Sequence, residues 1–240
     1  KAAMNGLMAA RWAGRGFTSR NDVLECFQGF GLTQSTEFTP LSIRPDAMAL
    51  YAVEQNLFKY HAACYLIHSS IEAANSLRDK YEFTPADIET INTHVAPGHR
   101  SVCDITEPKT GLEVKFSIRH CIAMALSGLD TSDDNAYTDE IASRDDLKAL
   151  RRKVDVDATA LDNRYAAKLN IKLINGLELS TTADVGLPAT DLDAQEARLV
   201  DKFTRLATPV IGQGRAVTAV NLVRDLENQD NIVTLIKAVE

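Results

Sequence analysis

Cysteine is scarce and unpatterned in this chain. Of 240 residues only Cys26, Cys64, Cys103 and Cys121 carry thiols, widely spaced and with no CxxC pair. That spacing suggests neither a disulfide framework nor a zinc site, so free thiols and no metal are expected. Long apolar runs are missing as well; none approaches the roughly 20 residues a membrane span requires. The opening KAAMNGLMAARWAGRG is too broken by glycine and arginine to read as a secretory leader. Nor does charge of one sign accumulate: 26 Lys and Arg are interspersed with 33 Asp and Glu, for a net charge of -7. This argues against a nucleic-acid surface and leaves no polybasic patch for a membrane. The glycine pair Gly212 and Gly214 is too short and wrongly placed for a phosphate loop, so no nucleotide is implied. Internal repeats and low-complexity tracts are absent. What remains is a globular, cytoplasmic protein with a small-molecule or protein partner, and its 45% hydrophobic content suffices for a sizeable core.

The most informative stretch present is KYHAACYLIHSSIEAANSLR, from Lys59 to Arg78. It sets Lys59, His61, Cys64 and His68 at the start of an otherwise small and apolar helix. Backbone N–H groups and the dipole at such a start favour anions, so a carboxylate is the natural guest. Lys and His can bind carboxylates and move protons when a pocket shifts their pKa. Against this stands a plainer reading in which Cys64 and His68, four residues apart, are a satisfied core pair. No third ligand at a familiar spacing accompanies them, which argues against a metal.

A second stretch, EPKTGLEVKFSIRHCIAMALSG, carries Lys115, Arg119 and His120 just ahead of the apolar run Ile122 to Leu126. A proline and a glycine precede it. The pattern suggests a loop that delivers charged side chains to a cleft before a buried helix. For Arg119 a solvated helix start is the favoured alternative. His94 and His99 lie in the polar context THVAPGHRSV, where surface histidines are common, and receive no role.

Three regions differ in pattern. Residues 1–57 read as helical, with Met4, Leu7, Met8 and Arg11 at helix spacing, a turn at Gly14 to Thr18 and a second helix from Asn21 as N-cap. This part needs a partner surface. Residues 58–195 mix types and read as α+β. They hold a helix over Ile67 to Tyr81, a strand over Ile88 to Val95, and helices over Phe116 to Leu129 and Asp145 to Lys153. In KLNIKLINGLEL, apolar and polar residues alternate around Asn175-Gly176, which predicts a type I′ hairpin. Residues 196–240 are helical again: the patterns run from Ala194 to Leu206, Ala216 to Leu226 and Ile232 to Ala238. A chain that opens inside a helical pattern without an initiator methionine is expected to be a C-terminal fragment.

Together these segments resemble the MmgE/PrpD family, which includes 2-methylcitrate dehydratase, cis-aconitate decarboxylase and iminodisuccinate epimerase. KAAMNGLMAARWAGRGFTS is similar to the family's K-x-x-x-x-G-x-x-A-A-x-x-A-x-x-G-F-T segment, and VLECFQGF follows in place of its V-L-E-G-x-x-G-F. LFKYHAACYLIHSSIEAANSLR resembles the lysine-to-histidine segment. EPKTGLEVKFSIRHCIAMAL resembles P-x-T-x-x-E-A-K-F-S-L-x-Y-x-x-A-x-A-L. The resemblance implies a discontinuous all-helical domain, partly missing here, with an inserted α+β lid. Residues 1–57 and 196–240 would then belong to the helical domain and 58–195 to the lid.

It also implies roles. Lys1 and Lys59 fall on lysines that face the family's active-site cleft, while His68 and Lys115 match its pattern. Cys64 stands where the decarboxylases carry histidine, and His120 where much of the family has tyrosine. The implied site is therefore Lys1, Lys59, His68 and His120 as catalytic groups, with Cys64 and Lys115 against substrate. The implied chemistry is proton abstraction beside a carboxylate of a di- or tricarboxylic acid, without a cofactor, in a homodimer. A 2-methylcitrate dehydratase-like lyase is the first reading and an iminodisuccinate-type epimerase the second. A noncatalytic fragment or dimerisation module is the third.

Overall fold

Where the first residues repeat apolar groups at helix spacing, the chain forms α1 (Ala2–Ala13), and Gly16 (φ 86°) lets it turn back toward Phe17. The computed structural model describes residues 1–38, 52–159 and 161–240. By its internal contacts the chain divides into two compact units, Lys1–Tyr51 and Ala52–Glu240. The helix expected from Asn21 does not continue in the first unit. One turn closes, with the Cys26 N–H on the Asp22 carbonyl at 2.8 Å. Gln28 then takes a left-handed backbone (φ 64°), and only the short α2 (Phe30–Gln34) follows. A left-handed residue cannot propagate a right-handed helix, which explains the break.

The second unit carries the interior. Its helices in chain order are α3 (His68–Lys80), α4 (Gly98–Cys103), α5 (Gly111–Val114), α6 (Ile118–Leu126), α7 (Asp139–Ser143), α8 (Asp145–Arg151), α9 (Leu192–Ile211), α10 (Gln213–Arg224) and α11 (Val233–Val239). Its strands are β1 (Ile88–His94), β2 (Val154–Asp157), β3 (Ala166–Leu173) and β4 (Glu178–Asp184), arranged in the order β2-β1-β3-β4. Strand β1 runs parallel to β2 and antiparallel to β3, and β3 pairs antiparallel with β4. The fold is therefore α+β with a four-stranded mixed sheet.

One face of the sheet is apolar and is covered by α3 and α6. Ile88 and Ile91 on β1 and Ala167, Leu169, Ile171 and Leu173 on β3 are buried in alternation with exposed polar residues, the period-2 pattern of a half-buried strand. On α3 the small residues Ser70, Ala73 and Ala74 let the helix lie close beside its neighbours, while Ile71 and Leu77 fill the layer. Every residue of α6 except Arg119 is buried, as expected of a helix that is apolar all round. Its N-cap Ser117 accepts from the His120 N–H at 3.3 Å. Each large aliphatic side chain buried here stabilises the fold by about 1.5–3 kcal/mol.

The opposite face of the sheet is polar. A row of contacts crosses all four strands: Ser180 Oγ donates to Asn170 Oδ1 (2.7 Å), Asn170 Nδ2 meets His94 Nε2 (2.8 Å), and His94 Nδ1 meets Asp157 Oδ2 (3.2 Å). His99 is not a surface residue. It is 1% exposed, and its ring nitrogens lie 3.0 and 2.9 Å from the Ala96 and Leu66 carbonyls. Arg119 is not solvated either: Nε donates to Asp104 Oδ1 at 2.7 Å, and Nη1 donates to the Val154 carbonyl.

The hairpin stands at Asn175-Gly176, but its turn is not type I′. Gly176 alone of the pair has positive φ (87°). The Gly176 N–H closes on the Leu173 carbonyl and the Leu173 N–H on the Leu177 carbonyl, both at 2.9 Å. This is a type I turn with a glycine bulge, and Asn175 Oδ1 further accepts from the Leu177 N–H at 3.0 Å.

Candidate active site

Two backbone bonds fix the segment that leads into α3. The Ala62 N–H donates to the Thr131 carbonyl (2.9 Å) and the Cys64 N–H to the Lys115 carbonyl (2.8 Å), pinning the residues between Lys59 and His68 to two loops far away in sequence. His61 is thereby set against both α3 and the Thr131 loop. Its Nδ1 lies 2.8 Å from Thr131 Oγ1 and its Nε2 3.2 Å from Glu72 Oε1. The ring of His68 packs against it edge-on at 4.9 Å.

Glu72 sits between His61 and Arg198. Burial works to raise its pKa, yet the hydrogen bonds from His61 and from Arg198 outweigh it and hold the carboxyl at about 2. Arg198, on α9, donates to Glu72 Oε1 at 2.6 Å and lies over the Tyr60 ring at 3.7 Å. With Glu72 ionised, Nε2 is the ring nitrogen of His61 placed to donate to it, and Nδ1 is the one placed to accept from Thr131 Oγ1.

His61, Tyr60 and Thr131 open on a cavity of about 290 Å³ that Arg78, Lys202 and Arg205 also line. Arg205 is paired with Asp130 and Asp201. Lys202 donates to the Lys59 carbonyl and has no carboxylate partner among the described residues. Burial and then the nearby charges of Lys59 and Arg205 lower its pKa. An ammonium so placed gains most from an added anion.

Residues 61–228 match the family model of the MmgE/PrpD C-terminal domain. The chain belongs to the MmgE/PrpD family. None of the curated proteins compared with it matches. Members of the family are generally enzymes, and the matched span takes in His61, Cys64, His68, Lys115 and His120 but begins after Lys59 and Lys1.

Among the residues expected at this MmgE/PrpD site, the structure gathers Lys59, Cys64 and His68 on one segment beside His61. Lys59 is exposed and Cys64 half-buried. The Cys103 thiol, hydrogen-bonded to that of Cys64, stabilises its thiolate and lowers its pKa, against burial. His68 is 1% exposed and its Nε2 lacks a partner; burial, then the charge of His61, pushes its pKa down to about 3, so it is neutral. Lys115 pairs with Asp134 and lies 5.4 Å from the Tyr137 ring centroid. His120 is fully buried on α6. Its Nε2 lies 3.1 Å from the Ile141 carbonyl and its Nδ1 3.5 Å from Arg151 Nη1, and burial followed by the charge of Arg151 lowers its pKa to about 4. Lys1 is exposed at the N-terminal end of α1 in the other unit.

Sequence reasoning weighed His61 with its neighbours but left it off the site. It missed Glu72, Thr131, Arg198 and Lys202 altogether. Glu72 reads as an ordinary helix-surface acid, and the others lie more than 50 residues away, where spacing carries no signal. No helix among the described residues is long and apolar enough to cross a membrane. No group of three or more His, Cys, Asp or Glu side chains among them is arranged to hold a metal ion.

Proposed function

We propose that this MmgE/PrpD chain serves an enzyme that abstracts a proton beside a carboxylate of a di- or tricarboxylic acid, in the manner of a 2-methylcitrate dehydratase. The observation that carries this reading is His61, held between Glu72 and Thr131 on the wall of a cation-lined cleft. Removing such a proton generates carbanion or enolate character next to a carboxylate, and cations must offset that charge. Lys202 and Lys59 bind the substrate carboxylates, His61 accepts the proton through Thr131, and Glu72 stabilises the imidazolium that results. The carbon–oxygen bond on the adjacent carbon then breaks as the double bond forms, and the leaving hydroxyl takes the proton back from the His61 imidazolium to depart as water.

His68 and His120 have positioning roles in this scheme. His68 packs on the His61 ring. Both ring nitrogens of His120 face protein partners, which suits a fixed support better than a proton carrier. Cys64 and Lys115 do not line this cleft, and the family resemblance alone assigns them, with Lys1, to the substrate. In this reading the α+β part, residues 58–195, corresponds to the lid of the family and residues 196–240 to its helical domain.

The test is deuterium exchange at the carbon beside the carboxylate, followed by NMR in D₂O with citrate-like and aspartate-derived acids. Both this chain and one extended upstream of Lys1 are assayed. Exchange with loss of water is the expected result, and His61→Asn should lower its rate by about 10²–10⁴-fold. Lys59 is exposed in the free chain, and in this scheme the bound substrate desolvates it, so that Lys59→Ala should cost about 10²–10³-fold. Exchange with inversion alone would replace the dehydratase by an epimerase. Undiminished exchange in His61→Asn would remove that residue from the chemistry.

A further inference from the structure

Arg151 is the last residue of α8 and is only 4% exposed. A guanidinium has five N–H donors and cannot shed its charge, so a buried one is ordinarily met by a carboxylate. Arg151 forms no ion pair among the described residues. Its one hydrogen-bond contact there is the 3.5 Å approach of Nη1 to His120 Nδ1. That partner is neutral, because burial and the Arg151 charge itself keep His120 unprotonated. The negative end of the α8 dipole offsets a small part of the charge but leaves the remaining donors unpaired.

The same guanidinium lines a cavity of about 250 Å³. Three more cations, Lys109, Lys148 and Arg152, line it with a single acid, Glu107, while Pro108 and Ala142 add apolar wall. Lys148 reaches Asp145 at 3.3 Å, and that carboxylate is 99% exposed, so the pair neutralises little within the cavity. Burial lowers the Arg151 pKa, and Glu107 opposes that shift electrostatically without coming into ion-pair distance. Four positive groups around one negative group, with the deepest of them unpaired, form an incomplete electrostatic arrangement.

We propose that this cavity, closed at its base by Arg151, binds an oxyanion headgroup, a phosphate or a carboxylate, of a small metabolite. The planar fork of the guanidinium suits two oxygens of one such group, and Lys148 and Arg152 add charge at the mouth. None of the residues that line the His61 cleft contributes, so the assignment stands whether or not the reaction proposed above is correct.

The experiment follows the Arg151 side-chain Nε–H resonance of the ¹⁵N-labelled full chain during separate titrations with inorganic phosphate and succinate. Sodium chloride at equal ionic strength is the control, and disappearance of the peak in Arg151→Lys assigns it. A saturable shift with either anion is expected, and the anion that binds more tightly identifies the headgroup. The surface double variant Lys148→Gln/Arg152→Gln, which leaves the buried residue in place, should weaken that binding by about tenfold or more. If neither anion moves the resonance beyond the chloride control, or if the double variant titrates as the parent does, the site is refuted.

Discussion

At the scale of single residues, the buried imidazoles make stability depend on pH in a fixed direction. His68 and His120 are held to about 3 and about 4, well below the ordinary value of 6.5, chiefly by burial. The unfolded chain therefore binds more protons than the folded one between pH 6.5 and these values, so stability falls as pH falls through that window. By pH 4.5 the loss is on the order of 2 kcal/mol from each ring. Glu72, held at about 2, adds no loss until the pH drops below its ordinary value of 4.5. Urea denaturation at pH 7 and pH 4.5 measures this; buried His99, also lowered by burial, adds loss in the same direction, so His68→Gln should remove a part of the difference, about half or less. An unchanged midpoint across that range would mean that the rings already titrate normally in the folded state. Little of this was legible beforehand. The four-residue spacing of Cys64 and His68 fits a core pair as readily as a proton carrier. Burial chooses between them, and burial is set by α6 and by loops remote in the chain.

At the scale of elements, the sequence announced those parts whose pattern is local. α3, β1, α8 and the hairpin fall within about two residues of their predicted bounds because apolar spacing, polar flanks and Asn-Gly chemistry all lie inside each segment. β2 was missed: four residues, VDVD, form a strand only because β1, some 60 residues earlier in sequence, pairs with them in parallel. The short α4, α5 and α7 escaped for a similar reason, being too brief for periodicity and fixed by caps such as the reciprocal Thr110–Glu113 bonds. The turn type failed on backbone conformation, since Asn175 stays outside the left-handed region that type I′ requires. Two glycines separate local strain from packing. An added Cβ at Gly176 would meet open space but sit at φ 87°, so Gly176→Ala should cost about 1 kcal/mol. At Gly111 the Cβ would lie 2.0 Å from the Tyr137 carbonyl oxygen, and the backbone of the Tyr137 loop would have to move. Gly111→Ala should therefore be the worse of the two, at about 1–3 kcal/mol or more, by thermal or urea unfolding. The reverse order would show that the Tyr137 loop yields freely.

At the scale of the whole molecule, apolar burial is unevenly shared. All the buried hydrophobic side chains among the described residues lie from Ala63 onward, while Met4, Leu7, Met8, Trp12 and Phe27 in the first unit are exposed, Phe27 at 86%. The expectation that residues 1–57 need a partner surface rests on the same apolar stripe. A 12-residue helix without a covered face is marginal in water, because most helical stability in proteins comes from packing. Amides of α6, β1 and β3, by contrast, open only with the whole core. Native-state hydrogen exchange should thus find α1 protected about 10²-fold less, or weaker still, than α6, with α9 also below the core because none of its residues is buried. Protein concentration decides what a departure means. If α1 is as well protected as α6 at high concentration but loses that protection on dilution, a second copy covers the stripe and the chain associates with itself. Protection that is strong at every concentration would instead contradict the assignment of the stability of this chain to the α3, α6 and sheet interior.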